Sequence, residues 1–576
     1  MDRGSLAKWL LLGAALVMFF IYGLPLITGT GSGAEARQPL SSINDKIGPA
    51  GDRPEEKTCS LKGPRFTAEV SSRGASLRHL RMTDAKYSLG VGRPDTRHDL
   101  VSTSVESRMP LRTDLRLPSG DGQQVPTNDL DWTLLESTDS RCVFRYADDG
   151  AEVEKTLTTT ERPFEIAVAM RVRNLAKDAR KHRFAVEQTA WHTLKEQEGS
   201  LGQQSEFLTD SQLHTKVGDT RLTGSDFEAS DFTGEHFTAE KWYRAPGDAY
   251  WAATSSSYFA NAIIHVAGPA PAAEAQHEEY WDTARFADKK DDPQHGFVYR
   301  SRLAYPEKEL GPGEEAKYET LAFIGPKERQ VLAGVGGGAD KFQTSKLINL
   351  GWFGVIGKVL VGYVYWLHLK LGSWGWAIVF LTISVKMLLF PLTLPQIKSS
   401  FHMRRLKPQT DELNAKYKDD ATQRGLAMQE LWRKEGVTNP MLGCLPVVLQ
   451  MPVWIALYTS LQTSVELYHM PFGPFMPDLS EPGKYFIIPA ILGVSSFLQQ
   501  RLMPPQGDPQ QQKMMQWMMP AIFTVMMLFL PAGLGVYMIT NTWLGIVQQV
   551  AVERWMKGKL VAAGPRTIEV REKTAT

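Results

Sequence analysis

The stretch Trp376 to Leu394, WAIVFLTISVKMLLFPLTL, constrains this chain more than any other. A helix of about 20 apolar residues crosses the hydrocarbon core of a bilayer, and this run meets that requirement. Yet Lys386 stands near its middle. An ammonium at that depth costs roughly 2.5–3.5 kcal/mol even on the lenient insertion scale, so a helix that keeps one faces a wet cavity or a partner. The competing reading is snorkelling, in which the lysine stem lifts its charge to the interface. Thr382 lies one turn before Lys386 and Thr393 two turns after it, which draws a polar stripe along one helix face. Ser384 falls off that stripe and is expected to back-bond to its own helix.

Around this helix the chain is strongly asymmetric. A first apolar segment is followed by a long polar region, and then by repeated apolar runs rich in Met, Trp and Pro. That pattern describes a membrane protein with one large soluble domain near its N-terminus. A net charge of +1 excludes DNA as a partner class. Arg3 and Lys8 precede the run Trp9 to Ile27, which reads as a retained anchor with its N-terminus in the cytoplasm. A cleaved signal peptide is the rival, since Gly31 to Ala36 offers small residues. On either reading the polar region after the anchor is exported. Residues 28–57 are rich in Gly, Ser, Pro and charge and read as a linker. Cys59, Cys142 and Cys444 are the 3 cysteines. The first two could pair in an oxidising compartment, but proximity cannot be read from sequence. Cys444, beside apolar runs, is expected simply to pack. No Cys and His stand at metal-ligand spacing, so neither metal nor cofactor is expected.

Residues 58–330 alternate short β-like runs with turn signals, as in Arg65 to Val70, Cys142 to Tyr146, Phe164 to Val172, Tyr258 to His265 and Tyr318 to Ile324. The spacing predicts a large antiparallel β-sandwich rather than βαβ units. The polar segment Glu196 to Asp231 reads as loop. His182, His192 and His265 invite comparison with a sugar-converting site, but no paired carboxylate stands at a definable spacing, so core or surface histidines are expected.

Beyond a Gly-rich stretch, residues 340–371 read as an amphipathic helix in the outer interface, because aromatics, Gly and Lys make Leu350 to Leu371 a poor span. The Lys386 helix, 372–394, then crosses inward. Residues 395–437 carry about nine Lys and Arg, which marks this loop as cytoplasmic, and two periodic segments within it predict a helical hairpin. Arg404, Arg405, Lys407, Arg433 and Lys434 are its candidate contacts with anionic lipid, ribosome or nascent chain, with a solvated charged face as the alternative. The span 438–466 is interrupted by Pro440, Pro446 and Pro452 and is expected to bend inside the bundle. An outer loop, 467–484, precedes a span at 485–503. An inner loop at 504–513 leads to spans at 514–530 and 534–553, and 554–576 forms a basic tail. The Lys and Arg bias fits six spans with both termini in the cytoplasm. Gln450, Gln499, Gln500, Gln548 and Gln549 recur in the inner halves of these spans, and Tyr537, Asn541 and Gln548 share one face of the last. With Lys386 they outline a hydrophilic cavity, though each glutamine alone could be interhelical glue.

The segments WGWAIVFLTISVKMLLFPLT, NPMLGCLPVVLQMPVWIALY, SVELYHMPFGPFMPDLS and DPQQQKMMQWMMPAIFTVMMLFLPAGLGVYMITNTWLGIVQQ, with the β-rich insertion after the first span, resemble those of YidC-type membrane protein insertases of the YidC/Oxa/Alb family. The resemblance covers essentially the whole chain. It implies a multi-domain membrane protein of the bacterial inner membrane. Its expected fold is an α-helical bundle of six transmembrane helices, five of them a core around a hydrophilic groove, plus an all-β periplasmic supersandwich. It also implies insertion of newly made membrane proteins, alone or beside the Sec translocon. Two departures stand out. The family's groove charge is typically arginine, where this chain has Lys386, which lacks the bidentate fork. The last helix commonly carries a Tyr-Tyr pair, and here Tyr537 is followed by Met538.

The function expected from these readings is insertion without covalent chemistry, hence not an enzyme. The candidate groove comprises Lys386, Thr382, Gln450, Gln499, Tyr537, Asn541 and Gln548. The expected partners are nascent membrane proteins, the Sec translocon with its accessory subunits, the ribosome and membrane lipid. A secondary transporter would show internally repeated, interrupted helices, which are not found. A carbohydrate-binding or mutarotase-like β domain would need an acid–base constellation that this sequence does not display.

Overall fold

The computed structural model describes residues 53–88, 98–103, 106–118, 124–126, 131–197, 205, 207–229, 242–280, 296–351, 354–417, 420–434, 445–483, 486–502 and 509–562. The N-terminal span, most of the linker, Cys444 and the end of the basic tail therefore lie outside the described residues. The chain forms two compact bodies. One is β-rich, runs to Asn349 and adds the segment Gln462–His469; the other is helical, with Leu350–Leu461 and the chain from Met470 onward.

The β body is antiparallel throughout its main pairings, as the turn spacing predicts. A 9-stranded sheet runs edge to edge through Asp219–Leu222, Asp210–Thr215, Ala249–Ser255, Phe259–Ala267, Glu315–Pro326, Glu165–Asn174, Ala151–Thr159, Arg141–Ala147 and Thr133–Ser137. A 7-stranded sheet orders Tyr243–Arg244, Ala272–Tyr280, Gly296–Ala304, Arg180–Thr193, Thr113–Pro118 and Gln124–Pro126, with Lys308–Leu310 paired on the long Arg180–Thr193 strand. A 3-stranded sheet, Thr58–Lys62, Phe66–Ser71 and Ser76–Met82, completes the body. The hydroxyl of Ser301 in the second sheet donates to the carbonyl of Ala253 in the first (2.9 Å). Trp251, Phe323, Tyr318 and Phe144 fill the interior. Cys59 and Cys142 are disulfide-bonded with Cα atoms 6.1 Å apart, which ties the small sheet to the 9-stranded one.

One finding departs from the sequence reading, and a second lies where that reading makes no statement. The segment expected to be loop, Glu196 to Asp231, contains strands Asp210–Thr215 and Asp219–Leu222 and a short helix, Gly224–Ala229. Its polarity misled because the polar groups satisfy one another: Gln212 Nε2 donates to Asp210 (3.0 Å), and Arg221 Nε donates to the same carboxylate (2.7 Å). The second is a lysine in the core. Along the strand Ala151–Thr159 burial alternates from Ala151 to Thr158, and position 155 falls on the inward face with Val153 and Leu157. Lys155 is fully buried there, and its Nζ donates to the carbonyls of Ala75 (2.7 Å) and Leu111 (2.5 Å).

Of the three singled-out histidines, His182 and His265 are joined through the rings of Tyr318 and Tyr305 (centroids 4.9 Å apart), and His192 stands at the other end of the Arg180–Thr193 strand. His182 Nε2 meets the Tyr318 hydroxyl (2.6 Å), His265 Nδ1 meets that of Tyr305 (3.2 Å), and His192 lies 3.8 Å from Glu196. They are packing residues with local partners.

In the helical body, α1 spans Gly354–Leu371, α2 Trp374–Arg405, α3 Lys407–Lys416, α4 Ala421–Lys434, α5 Leu445–Thr463, α6 Ile487–Leu502, α7 Pro509–Met526 and α8 Ala532–Ala562. α1 buries Gly357, Val361, Val364 and Leu367, a helical stripe. A Cβ on Gly357 would stand 2.9 Å from Ser460 Oγ, so glycine permits the close approach of α1 to α5. In α2 the window Trp374–Pro395, with mean hydropathy 2.1, is long and apolar enough to cross a membrane. Its Trp376, Phe380, Met387, Leu388 and Leu392 are exposed, as lipid-facing residues would be. The helix does not stop at Leu394. It continues through Pro391 and Pro395 to Arg405, so the first arm of the basic region extends the same helix.

Candidate functional site

The site is built where α2, α6 and α8 meet. On α2, Thr382 is buried and spends its hydroxyl on the Ile378 carbonyl (2.7 Å), so it marks the inward face without offering a free group. Ser384 back-bonds to Phe380 (2.9 Å), as its position off the stripe predicts, and also meets the Tyr363 hydroxyl of α1 (2.9 Å). One turn beyond Thr382, Lys386 is half-buried.

What Lys386 faces is set by a glycine. A Cβ on Gly545 of α8 would stand 2.8 Å from Gln499 Nε2 of α6 and 3.9 Å from Lys386 Nζ. The ammonium and the amide thus both converge on the bare backbone of Gly545, and any larger residue at 545 would push the amide aside. Gly545 shares its helix face with Tyr537, Asn541 and Gln548, at steps of four and three residues. Tyr537 is buried, while Asn541 and Gln548 are half-buried. Ser495 and Ser496 are buried on α6 one turn before Gln499. Among the described residues no carboxylate pairs with Lys386. Gln450 lies on α5, but its side chain is outside the described residues.

These groups are an ammonium, amides, hydroxyls and a phenol. Among the described residues that converge here there is no thiol, imidazole or carboxylate, so the arrangement offers hydrogen bonds and positive charge rather than a nucleophile or metal ligands. A polar group leaving water would find part of its lost hydration replaced here.

The basic residues of the hairpin behave differently from one another. Arg405 and Arg433 are exposed. Lys434 pairs with Glu430 one turn earlier (2.9 Å). The Lys407 side chain lies outside the described residues. Arg404 is engaged: its Nη1 lies 3.0 Å from Glu553 of α8. Gln549 of α8 donates to the Leu502 carbonyl at the end of α6 and lies 3.3 Å from Glu553, so the three helices are tied again below the site.

Sequence reasoning overlooked Gly545 and Glu553. Both left a signal. Gly545 sits four residues after Asn541 and three before Gln548 on the polar face, and Glu553 is the one acidic residue in α8.

Two family models together match most of the chain, and the boundary between them falls inside α1. The profile of the family described as "60Kd inner membrane protein" matches residues 366–559, and that of the "YidC periplasmic domain" matches residues 58–363. A membrane protein insertase YidC from Anaeromyxobacter dehalogenans is 32% identical over 519 residues, 88% of this chain and 87% of the relative. Another from Paraburkholderia phymatum is 33% identical across 72% of this chain and 69% of its own length. Among solved structures, an active YidC insertase with its first transmembrane domain resolved aligns over 87% of this chain and 92% of its own, at 18% identity and a TM-score of 0.37. A galactose mutarotase-like protein from Lactobacillus casei aligns over 46% of this chain and 100% of its own, at 11% identity and a TM-score of 0.31. Neither superposition is close enough to bear on function.

Proposed function

The chain belongs to the YidC family of membrane protein insertases, and from that premise we propose that the α2–α6–α8 site is the groove through which it passes the polar flank of a client. The protein inserts membrane proteins; it is an inner-membrane protein with a periplasmic domain, and not a catalytic enzyme. In the proposed arrangement six helices span the membrane, both termini lie in the cytoplasm and the β body is periplasmic. The basic hairpin receives a hydrophobic segment from the ribosome, alone or beside the Sec translocon. Its short acidic or polar flank enters the groove. Lys386 supplies the opposite charge and Gln499, Asn541 and Gln548 supply hydrogen bonds, which lowers the cost of leaving water. The apolar segment then moves onto lipid-facing helix surfaces, and its burial there drives release.

One observation carries this reading: the Lys386 ammonium and the Gln499 amide both approach the bare backbone of Gly545, and no described carboxylate neutralises the ammonium. A lysine kept for structure would have a partner. The test is reconstitution of the whole protein with a single-span client bearing an acidic N-terminal tail. Lys386→Ala is expected to reduce insertion about ten-fold, equivalent to roughly 1.4 kcal/mol of barrier, while Lys386→Arg retains it. Equal insertion by wild type and Lys386→Ala would refute the electrostatic role.

A further inference from the structure

Resting on the reading that an acidic flank seeks Lys386, we propose that Arg404 is the station before it. The Arg404 guanidinium takes the client carboxylate by exchange with Glu553, and hands it on to Lys386.

The exchange is written in the contacts of Arg404. Its Nη1 lies 3.0 Å and 3.3 Å from the two oxygens of Glu553, so one nitrogen of the fork holds the whole carboxylate. The other terminal nitrogen, Nη2, is buried and has no hydrogen-bond partner among the described residues. A guanidinium binds a carboxylate best through two parallel bonds from two nitrogens. The resident pair falls short of that geometry, so a second carboxylate arriving at the part-exposed Nη1 side competes with Glu553 for the guanidinium. Glu553 is not left bare when Arg404 turns away, because the Gln549 amide stays within 3.3 Å of it. The pair is also reachable, with side chains 27% and 14% exposed.

Position on the helix supports a track. Lys386 and Arg404 are 18 residues apart on α2, about five turns at 3.6 residues per turn, so they fall on one face about 27 Å apart along the axis. Both are presented to α8, Lys386 at Gly545 and Arg404 at Glu553. Pro391 and Pro395 lie between them, and each removes a ladder hydrogen bond, so the arm that carries Arg404 can bend relative to the part that carries Lys386. The ligand class is a peptide carboxylate, and Glu553 is its intramolecular stand-in.

The experiment uses the full chain in proteoliposomes and two clients that differ only in the tail, three Asp or three Asn, with a photo-crosslinker in the tail. Glu553→Gln is expected to raise the ratio of acidic-tailed to neutral-tailed insertion about two- to five-fold, the range a part-exposed ion pair supports. Arg404→Gln lowers that ratio, and crosslinks of the acidic tail to α2 near residue 404 disappear. The proposal is overturned if both variants reduce the two clients in equal proportion and the charge-exchanged pair, Arg404→Glu with Glu553→Arg, restores both, for that marks a static brace. It is also overturned if the ratio shift vanishes in vesicles without anionic lipid, which would assign Arg404 to a headgroup. Lys386→Ala separates the two claims. Insertion insensitive to Lys386→Ala but with a ratio still governed by Glu553 sinks the groove reading alone; loss of insertion in Lys386→Ala with a ratio insensitive to Glu553 sinks this one alone.

Discussion

Lys155 of the β body and Lys386 of the helical body are the same residue placed among apolar neighbours, and the structure treats them oppositely. Lys155 is sealed in, and its ammonium donates to the carbonyls of Ala75 and Leu111. Both carbonyls belong to residues with positive φ, 45° and 59°, where the chain turns away from regular pairing and those groups need a donor. Burial pushes the Lys155 pKa down to about 7. Lys386 is half-buried, approaches the same glycine as the Gln499 amide, and has no described acid partner. A buried ion pair of the β body is also held by its neighbours. Glu187 is buried beside Arg300 and Arg302; burial works to raise its pKa, and the two guanidinia outweigh it and hold it at about 2. Lys155 and Glu187 are thus charges engaged within the fold. A charge left open is available to something that arrives.

The comparison can be broken in graded ways. The largest effect is expected at a buried paired charge: Glu187→Gln removes one counter-ion from Arg300 and Arg302, which keep Glu278, Glu274 and Asp114, and should destabilise the β body by about 3 kcal/mol in denaturant unfolding of the purified protein. An unchanged midpoint would show that these buried pairs are not structural.

Next comes the lysine contrast itself. Lys155→Met orphans two buried carbonyls and should lower stability by about 1–3 kcal/mol, whereas Lys386→Met should stay within about 0.5 kcal/mol of wild type. The pH dependence gives a second handle. A lysine whose folded pKa is depressed binds its proton more weakly folded than unfolded, so stability is greatest above the unfolded value of 10.5 and is lost as pH falls to about 7. Wild type should therefore gain stability between pH 7 and 10, and Lys155→Met should lack that slope. The same slope in both proteins would remove Lys155 from the account.

The smallest effect belongs to Gly545→Ala. The new methyl would fall 2.8 Å from Gln499 Nε2, which can swing away at the expense of its place beside Lys386. Insertion of an acidic-tailed client should fall about two-fold, with folding unaffected. No loss at all would mean that the amide does not act with the ammonium.

Much of this contrast is legible in the residues alone. Lys386 declares itself because the apolar run around it is long and uniform, and Asn541 and Gln548 stand out on a helical face for the same reason. Lys155 does not, since in AEVEKTLTT a lysine between polar residues looks like an outward position, and only the alternation set by Val153 and Leu157 turns it inward. Asp210–Thr215 reads as loop because a strand paired on both sides can bury polar side chains that bond to one another, which hydropathy does not register. The Cys59–Cys142 pairing joins strands of different sheets, 83 residues apart in sequence, and no local pattern encodes it. Gly545 escapes notice because its contribution is an absence of side chain, visible only once Gln499 and Lys386 are seen to converge on it.

The most direct test of the central claim is charge dependence at the groove. Insertion rate would be measured for clients with zero, one, two and three aspartates in the translocated tail, using wild type, Lys386→Arg and Lys386→Gln in the same vesicles. An open ammonium predicts parallel dependence on tail charge for wild type and Lys386→Arg, and a flat response for Lys386→Gln. The same dependence in all three proteins would contradict it.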